Sequence, residues 1–331
     1  MLNQSNTSSF FETSIASQIL SITFTSVIIV IGSIGNLMNI YFIYKIPLLH
    51  SHNNILIAHL AVTDLLLVTL TLPMAIANSF LDSNIPNAMC QAFAYILNFL
   101  IMISLATTVA ISIDRCCAVI YPYYYSAHMK FKYVVIFIVS TWICMPTIAS
   151  LPLLGLQRYG LGEYKYTASD LQCWFDFHDP ISTKVVFFIA FIYLLLTISA
   201  TLISYSIIFY VACHKGFADV SVVGYISLRR SIRTTALIIG SNLTCFIPAL
   251  VALSTSYFTQ KGLPASLIIA SYLLTYFNSA VNPIIYASTN SIIRRRIKRQ
   301  CCYCWALPTL RKVVPQSNIE IRSWSRSIRK H

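Results

Sequence analysis

Long apolar runs, separated by short polar stretches, divide the chain into seven blocks at about residues 17–46, 54–80, 89–121, 133–155, 181–213, 231–258 and 265–289. Each is long enough for a bilayer-spanning helix, which needs about 20 mostly apolar residues. The seventh is the least apolar of them. Within lipid every backbone N–H and C=O must be paired inside the chain, so the pattern predicts helices and an all-α bundle of seven membrane spans. Residues 1–16 form a polar tail, 17–289 the seven-span domain and 305–331 a basic tail with no apolar period. Between them, residues 290–304 open on a stretch that mixes isoleucine with basic residues, Ser291 to Arg299, and predict a short amphipathic helix on the membrane surface. No basic stretch precedes the first apolar run, so that run reads as an uncleaved anchor rather than a removed signal. No internal repeat is visible, and only the connection 156–180 is long.

Composition removes the soluble alternative. Of 331 residues, 57% are hydrophobic and 10% charged, with mean hydropathy +0.70. Water-soluble domains carry about 25% charged residues. The net charge of +13 then reads as topology rather than as nucleic-acid binding. If the N-terminus lies outside, only Arg158, Lys165, Lys184 and Lys261 of the 23 basic residues face outward, leaving 19 on the cytoplasmic side. The positive-inside rule selects that orientation. It makes Asn3 and Asn6, which head Asn-Gln-Ser and Asn-Thr-Ser, accessible to glycosylation; a third match at Asn242 falls inside a span. Cys90 and Cys173 are the only two of ten cysteines left on the oxidising face, where a disulfide can persist. Cys301, Cys302 and Cys304 follow the amphipathic segment as palmitoylation candidates, with free thiols the alternative.

Ionisable groups deep in a span are costly and therefore candidates for function. Asp64 lies mid-span in the second block, and Asp114-Arg115 close the third. Asn36, Ser104, Asn278, Ser279 and Asn282 are polar and mid-span elsewhere. One carboxylate among neutral oxygens suits a hard cation such as sodium; a protonated acid bonded to its neighbours is the alternative. Asp114-Arg115 also admits a plain reading, an ion pair at a helix end.

Motifs in each block carry a resemblance. They are Gly35-Asn36; Leu60-Ala61-Val62-Thr63-Asp64; Cys90 with Asp114-Arg115-Cys116 and Pro122; Trp142 with Pro152; Cys245-Phe246-Ile247-Pro248; and Asn278-Ser279 with Asn282-Pro283-Ile284-Ile285-Tyr286. In order and spacing they resemble rhodopsin-like G-protein-coupled receptors over about residues 30–300. The resemblance implies a plasma-membrane receptor, not an enzyme, that binds an extracellular ligand and couples to heterotrimeric G proteins and to arrestin. It implies a sixth helix that swings about Pro248 to uncover Arg115, with Tyr205 and Tyr286 then facing that arginine and Pro283 bending the seventh helix. It also implies a sodium site at Asp64, Ser104, Asn278, Ser279 and Asn282. The ligand pocket it implies is walled by Leu97, Asn98, Ile101, Tyr193, Phe246, Ala249, Leu250, Leu253, Tyr272 and Tyr276.

Departures limit what carries over. Thr197 stands where the family usually has proline, Asn242 where it has phenylalanine and Phe246 where it has tryptophan, so the relay between pocket and coupling face is altered. Leu228 replaces an acid that often restrains the third-span arginine, while Arg229, Arg230 and Arg233 line the coupling face or meet anionic lipid. Asn242 is expected either to extend the Asp64 network or to bond only within its own helix. Leu97 occupies the aspartate position of amine receptors, Tyr276 that of the retinal lysine, and Leu273 that of the prostanoid receptors' arginine. The pocket therefore predicts a neutral, fairly apolar ligand. A peptide ligand and a ligandless decoy are the alternatives, and a transporter is disfavoured because no inverted repeat is visible.

Overall fold

The structure, a computed structural model, describes residues 15–81, 85–167, 172–175, 181–214, 222–259 and 263–297. Asn3, Asn6, Cys301, Cys302 and Cys304 lie outside them. Among the described residues seven helices are long and apolar enough to cross a membrane. The first span is α1 (Ile15–Lys45). The second is α2 (His52–Leu66), which passes through a wide π segment at Leu67–Thr71 into α3 (Leu72–Leu81). The third is α4 (Asn87–Ile120), followed by the short α5 (Pro122–His128), and the fourth is α6 (Phe131–Ala149). The fifth, sixth and seventh are α7 (Lys184–His214), α8 (Val222–Thr259) and α9 (Ala265–Thr289). Residues 291–297 form a separate short helix, on which Arg294, Arg295 and Arg296 are exposed.

Element ends follow from local chemistry. The π segment comes just before Pro73, whose ring would crowd the carbonyl four residues back in a regular helix. The fourth span stops at Ala149, short of the expected 155, because Pro152 cannot donate within a helix; a 3₁₀ turn, Leu151–Leu154, follows and ends on Gly155 at φ +67°. The sixth begins at Val222, before the expected 231, since helical pairing continues beyond the apolar run. The long connection holds an antiparallel hairpin that the pattern did not reveal, β1 (Tyr164–Thr167) against β2 (Gln172–Phe175), with Tyr166 opposite Cys173.

The bundle is built around α4, which touches α2, α6, α7 and α8 as well as both strands. α9 packs between α1 and α8. Where lipid is as apolar as leucine, close backbone approach and buried polar pairs hold helices together. Gly35 provides such an approach: a Cβ there would sit 2.7 Å from the Pro283 ring. The side chain of the next residue, Asn36, donates to the Ser279 carbonyl at 3.0 Å. That carbonyl is the one whose helical donor Pro283 removes. Outward the pattern reverses. Ile136, Val139 and Ile143 on α6, and Leu196, Ile203 and Phe209 on α7, are exposed, a surface that only a bilayer solvates well.

Candidate functional site

Asp64 is fully buried at the centre of the bundle. Ser104 of α4 and Ser279 of α9 donate to its Oδ1 at 3.3 and 3.0 Å, and Asn282 donates to Oδ2 at 2.9 Å. Four of the five residues grouped with a cation in the sequence therefore meet. Asn278 is buried beside Ser279 in the chain, and its amide oxygen has no partner. The amide oxygens of Asn36 and Asn282 are likewise unpaired. A carboxylate with two hydroxyl oxygens in reach is the oxygen-rich donor set a hard monovalent cation uses. Asn242 departs from the network expectation: it is buried, its amide donates to Ile238 of its own helix at 2.9 Å, and its oxygen has no partner.

At the Arg115 end, Asp114 forms an ion pair with Arg115 and accepts a bond from the Tyr125 hydroxyl at 2.6 Å. Arg115 also reaches that hydroxyl at 3.4 Å. Tyr125 stands on α5, where Pro122 at the first turn fixes the start of the helix. Burial first, then the bond to Asp114, raises its phenol above the ordinary tyrosine range, so it remains a donor. Tyr286 donates to Asn54 of α2 at 2.9 Å, so its hydroxyl is committed away from Arg115 in this arrangement. Tyr205 is half-buried on α7, and Pro248 and Pro283 lie inside α8 and α9. Leu228, Arg229 and Arg230 lie on α8, but their side chains are outside the description; Arg233 is exposed.

At the opposite end a disulfide joins Cys90 to Cys173 and seats β2 in the bundle. The strand takes up polar groups expected to face a ligand. Tyr276 donates to Gln172 at 2.5 Å, and Asn98 donates to Tyr164 at 3.0 Å, whose hydroxyl continues to the Ala149 carbonyl at 2.8 Å. Leu97 is buried in a core with Cys173, Phe175 and Tyr276, against which Tyr272 packs. Ile101, Tyr193, Phe246 and Leu250 gather in a second cluster lower down, while Ala249 and Leu253 are half-buried on α8. Gln172 borders a cleft of about 30 Å³ with Ser21, Ser79 and Tyr272, and its buried amide nitrogen has no partner.

Four contributors escaped the sequence reading. Tyr125, Tyr164 and Gln172 lie in connections and carry no mid-span signal. His59 should have been found, because it is ionisable and mid-span like Asp64. It is buried, accepts from the Trp142 indole at 2.9 Å and meets Thr107 at 3.0 Å.

The profile of the 7 transmembrane receptor (rhodopsin family) matches residues 35–286. The chain is a rhodopsin-family G-protein-coupled receptor. Among similar proteins, trace amine-associated receptor 1 of Mus musculus is 28% identical, covering 82% of this chain and 86% of its own. Melatonin receptor type 1B of Homo sapiens is 25% identical over 82% of this chain and 75% of its own. The crystal structure of squid rhodopsin superposes with TM-score 0.77 at 20% identity, covering 88% of this receptor and 82% of that chain, a likeness of fold. The receptor is therefore a multi-pass membrane protein that couples an extracellular ligand to a G protein, and it is not an enzyme.

Proposed function

We propose that the receptor sits in the plasma membrane with its N-terminus outside, binds a neutral, fairly apolar ligand at the disulfide end, and presents Arg115 to a G protein at the cytoplasmic end. One observation carries the ligand class. Among the described residues the only buried carboxylates are Asp64 and Asp114, and neither is at the disulfide end. Relatives named for amines are similar along most of the chain, yet Leu97, 1% exposed, stands where amine receptors carry their aspartate. A protonated amine buried there would be an unpaired charge, costing several kcal/mol. The free amide nitrogen of Gln172 suits a ligand with a hydrogen-bond acceptor, a carbonyl or an ether oxygen.

Sodium held by Asp64, Ser104, Ser279 and Asn282, with Asn278 alongside, would favour the arrangement described and oppose agonists, because coupling between sites is reciprocal. Outward movement of the cytoplasmic end of α8 about Pro248 would open the Arg115 face to the G protein, and arrestin would use the same face. The test is a screen of neutral and cationic ligands on the reconstituted receptor, read as nucleotide exchange. Neutral acceptor-bearing ligands should activate, and lose potency in Gln172→Leu. Activation confined to protonated amines would overturn the ligand class.

A further inference from the structure

We propose that Phe187 and Tyr257 are positioning residues for G-protein coupling: their stacked rings fix the disulfide-end half of α8 to α7, so that movement about Pro248 reaches the cytoplasmic end alone. The Phe187 ring on α7 and the Tyr257 ring on α8 lie with centroids 3.7 Å apart and planes 6° from parallel. Phe258 meets the same Phe187 ring edge-on at 5.5 Å, and Phe191, one turn along α7, stacks on it at 5.7 Å. Phe188 meets Tyr257 edge-on at 6.1 Å. Phe187, at the centre of the group, is fully buried, although Phe188 and Phe258 beside it are exposed.

Two features make this stack a fixed point. The first is that α7 is itself tied down where the stack begins. The Gly160 carbonyl accepts from the backbone N–H groups of Val185 and Val186 at 2.9 and 3.2 Å, and the Gly162 N–H donates to the Ser182 carbonyl at 2.7 Å. N–H groups in the first turn of a helix have no partner within it, so the connection supplies one. Gly160 can come this close because it has no Cβ; one built there would lie 3.1 Å from the Val185 nitrogen, and its φ is +81°. The connection that carries the Cys90–Cys173 disulfide therefore holds α7, and α7 holds α8.

The second feature is position. Tyr257 stands nine residues beyond Pro248 on α8, about 14 Å at 1.5 Å per residue. On the cytoplasmic side of that proline the packing is aliphatic: Ile232 lies against Cys116, Val119 and Ile208. Aliphatic contacts tolerate sliding, whereas the attraction of a ring pair depends on overlap and tilt. Helices bend sharply at proline, so a helix gripped on one side of it and loosely packed on the other bends there and does not tilt as a rod.

The consequence for coupling rests on the function proposed above; the grip on α8 does not. The full-length receptor in nanodiscs would carry spin labels on genetically encoded ketone side chains, leaving the native cysteines untouched. One pair, at Leu20 and Thr259, spans α1 and α8 at the disulfide end; the other, at Tyr44 and Arg233, spans them at the cytoplasmic end, and all four positions are exposed. In the wild type a nucleotide-free heterotrimeric G protein should lengthen the cytoplasmic distance and leave the other unchanged. Tyr257→Ala should broaden the disulfide-end distance, let the G protein shift it, and lower nucleotide exchange by about fivefold, the effect of about 1 kcal/mol. Tyr257→Leu, which keeps bulk without a ring, should do the same, and Tyr257→Phe, which keeps the ring, should match the wild type in every readout. A disulfide-end distance as narrow in Tyr257→Ala and Tyr257→Leu as in the wild type would overturn the grip. A broadened distance with wild-type exchange and wild-type lengthening at the cytoplasmic end would overturn the positioning role. A wild type whose cytoplasmic pair ignores the G protein would overturn the coupling face instead, while the disulfide-end distances would still decide the grip.

Discussion

The side-chain amide of Asn36 reaches across from the first span to the Ser279 carbonyl of the seventh, 3.0 Å away, and replaces the helical donor that Pro283 lacks. Gly35 makes the approach possible by leaving room for the Pro283 ring. Two adjacent residues on α1 therefore accommodate the break in helical pairing that Pro283 makes in α9. Gly35→Leu should destabilise the purified receptor, since overpacking costs about 1–3 kcal/mol. Asn36→Leu should cost about as much by leaving a buried carbonyl unpaired. Thermal unfolding in nanodiscs reads both; wild-type midpoints would show that the contact carries no weight.

His59 links three spans. The Trp142 indole donates to Nε2 at 2.9 Å, so that nitrogen acts as acceptor, and Nδ1 faces Thr107 at 3.0 Å. Trp142→Phe and His59→Leu should each lower stability by about 1–3 kcal/mol, and the double variant should cost less than the two together because they share one bond. A double variant whose loss equals the sum would show that the bond is not made.

Asn242 is a test in the opposite direction. Its buried oxygen has no partner, so replacement by leucine removes an unsatisfied group. Asn242→Leu should leave stability unchanged or raise it by up to about 1–3 kcal/mol. A clear loss in thermal midpoint would mean that the amide does join the Asp64 network.

These contacts mark what the sequence made legible and what it did not. The seven spans follow from composition over stretches of twenty or more residues, and Asp64 with Ser104, Ser279 and Asn282 from the rule that polar groups within lipid seek one another. Both signals are local or chemically unambiguous. The bonds from Tyr276 to Gln172 and from Asn98 to Tyr164 join residues 104 and 66 apart. They depend on a hairpin of four-residue strands whose apolar pattern is too short to be recognised. The early end of α6 was readable in principle, because Pro152 falls within the expected span.

Asp64 should also make the receptor sensitive to sodium. Replacing sodium by a bulky organic cation should raise basal exchange in the wild type and have no effect in Asp64→Ala. Equal salt responses in the two proteins would remove the cation from this site.

The Tyr125 hydroxyl holds Asp114, which holds Arg115. A bond to a charged group contributes about 1.5–3 kcal/mol, so Tyr125→Phe should raise basal exchange by about tenfold to a hundredfold. The phenol's raised pKa keeps the donor proton in place below the ordinary tyrosine value of about 10, and the bond is lost only as pH rises through the raised one. Basal exchange should therefore show no change from this group across the neutral range. An unaltered Tyr125→Phe receptor would leave Asp114 and Arg115 as an ion pair without a latch.

The most direct test is nucleotide exchange on a purified heterotrimeric G protein, driven by the reconstituted receptor and by Arg115→Ala at equal surface density. The wild type should accelerate exchange and Arg115→Ala should not, while the Cys90–Cys173 disulfide and the thermal midpoint are retained. Exchange by well-folded Arg115→Ala at the wild-type rate would contradict it.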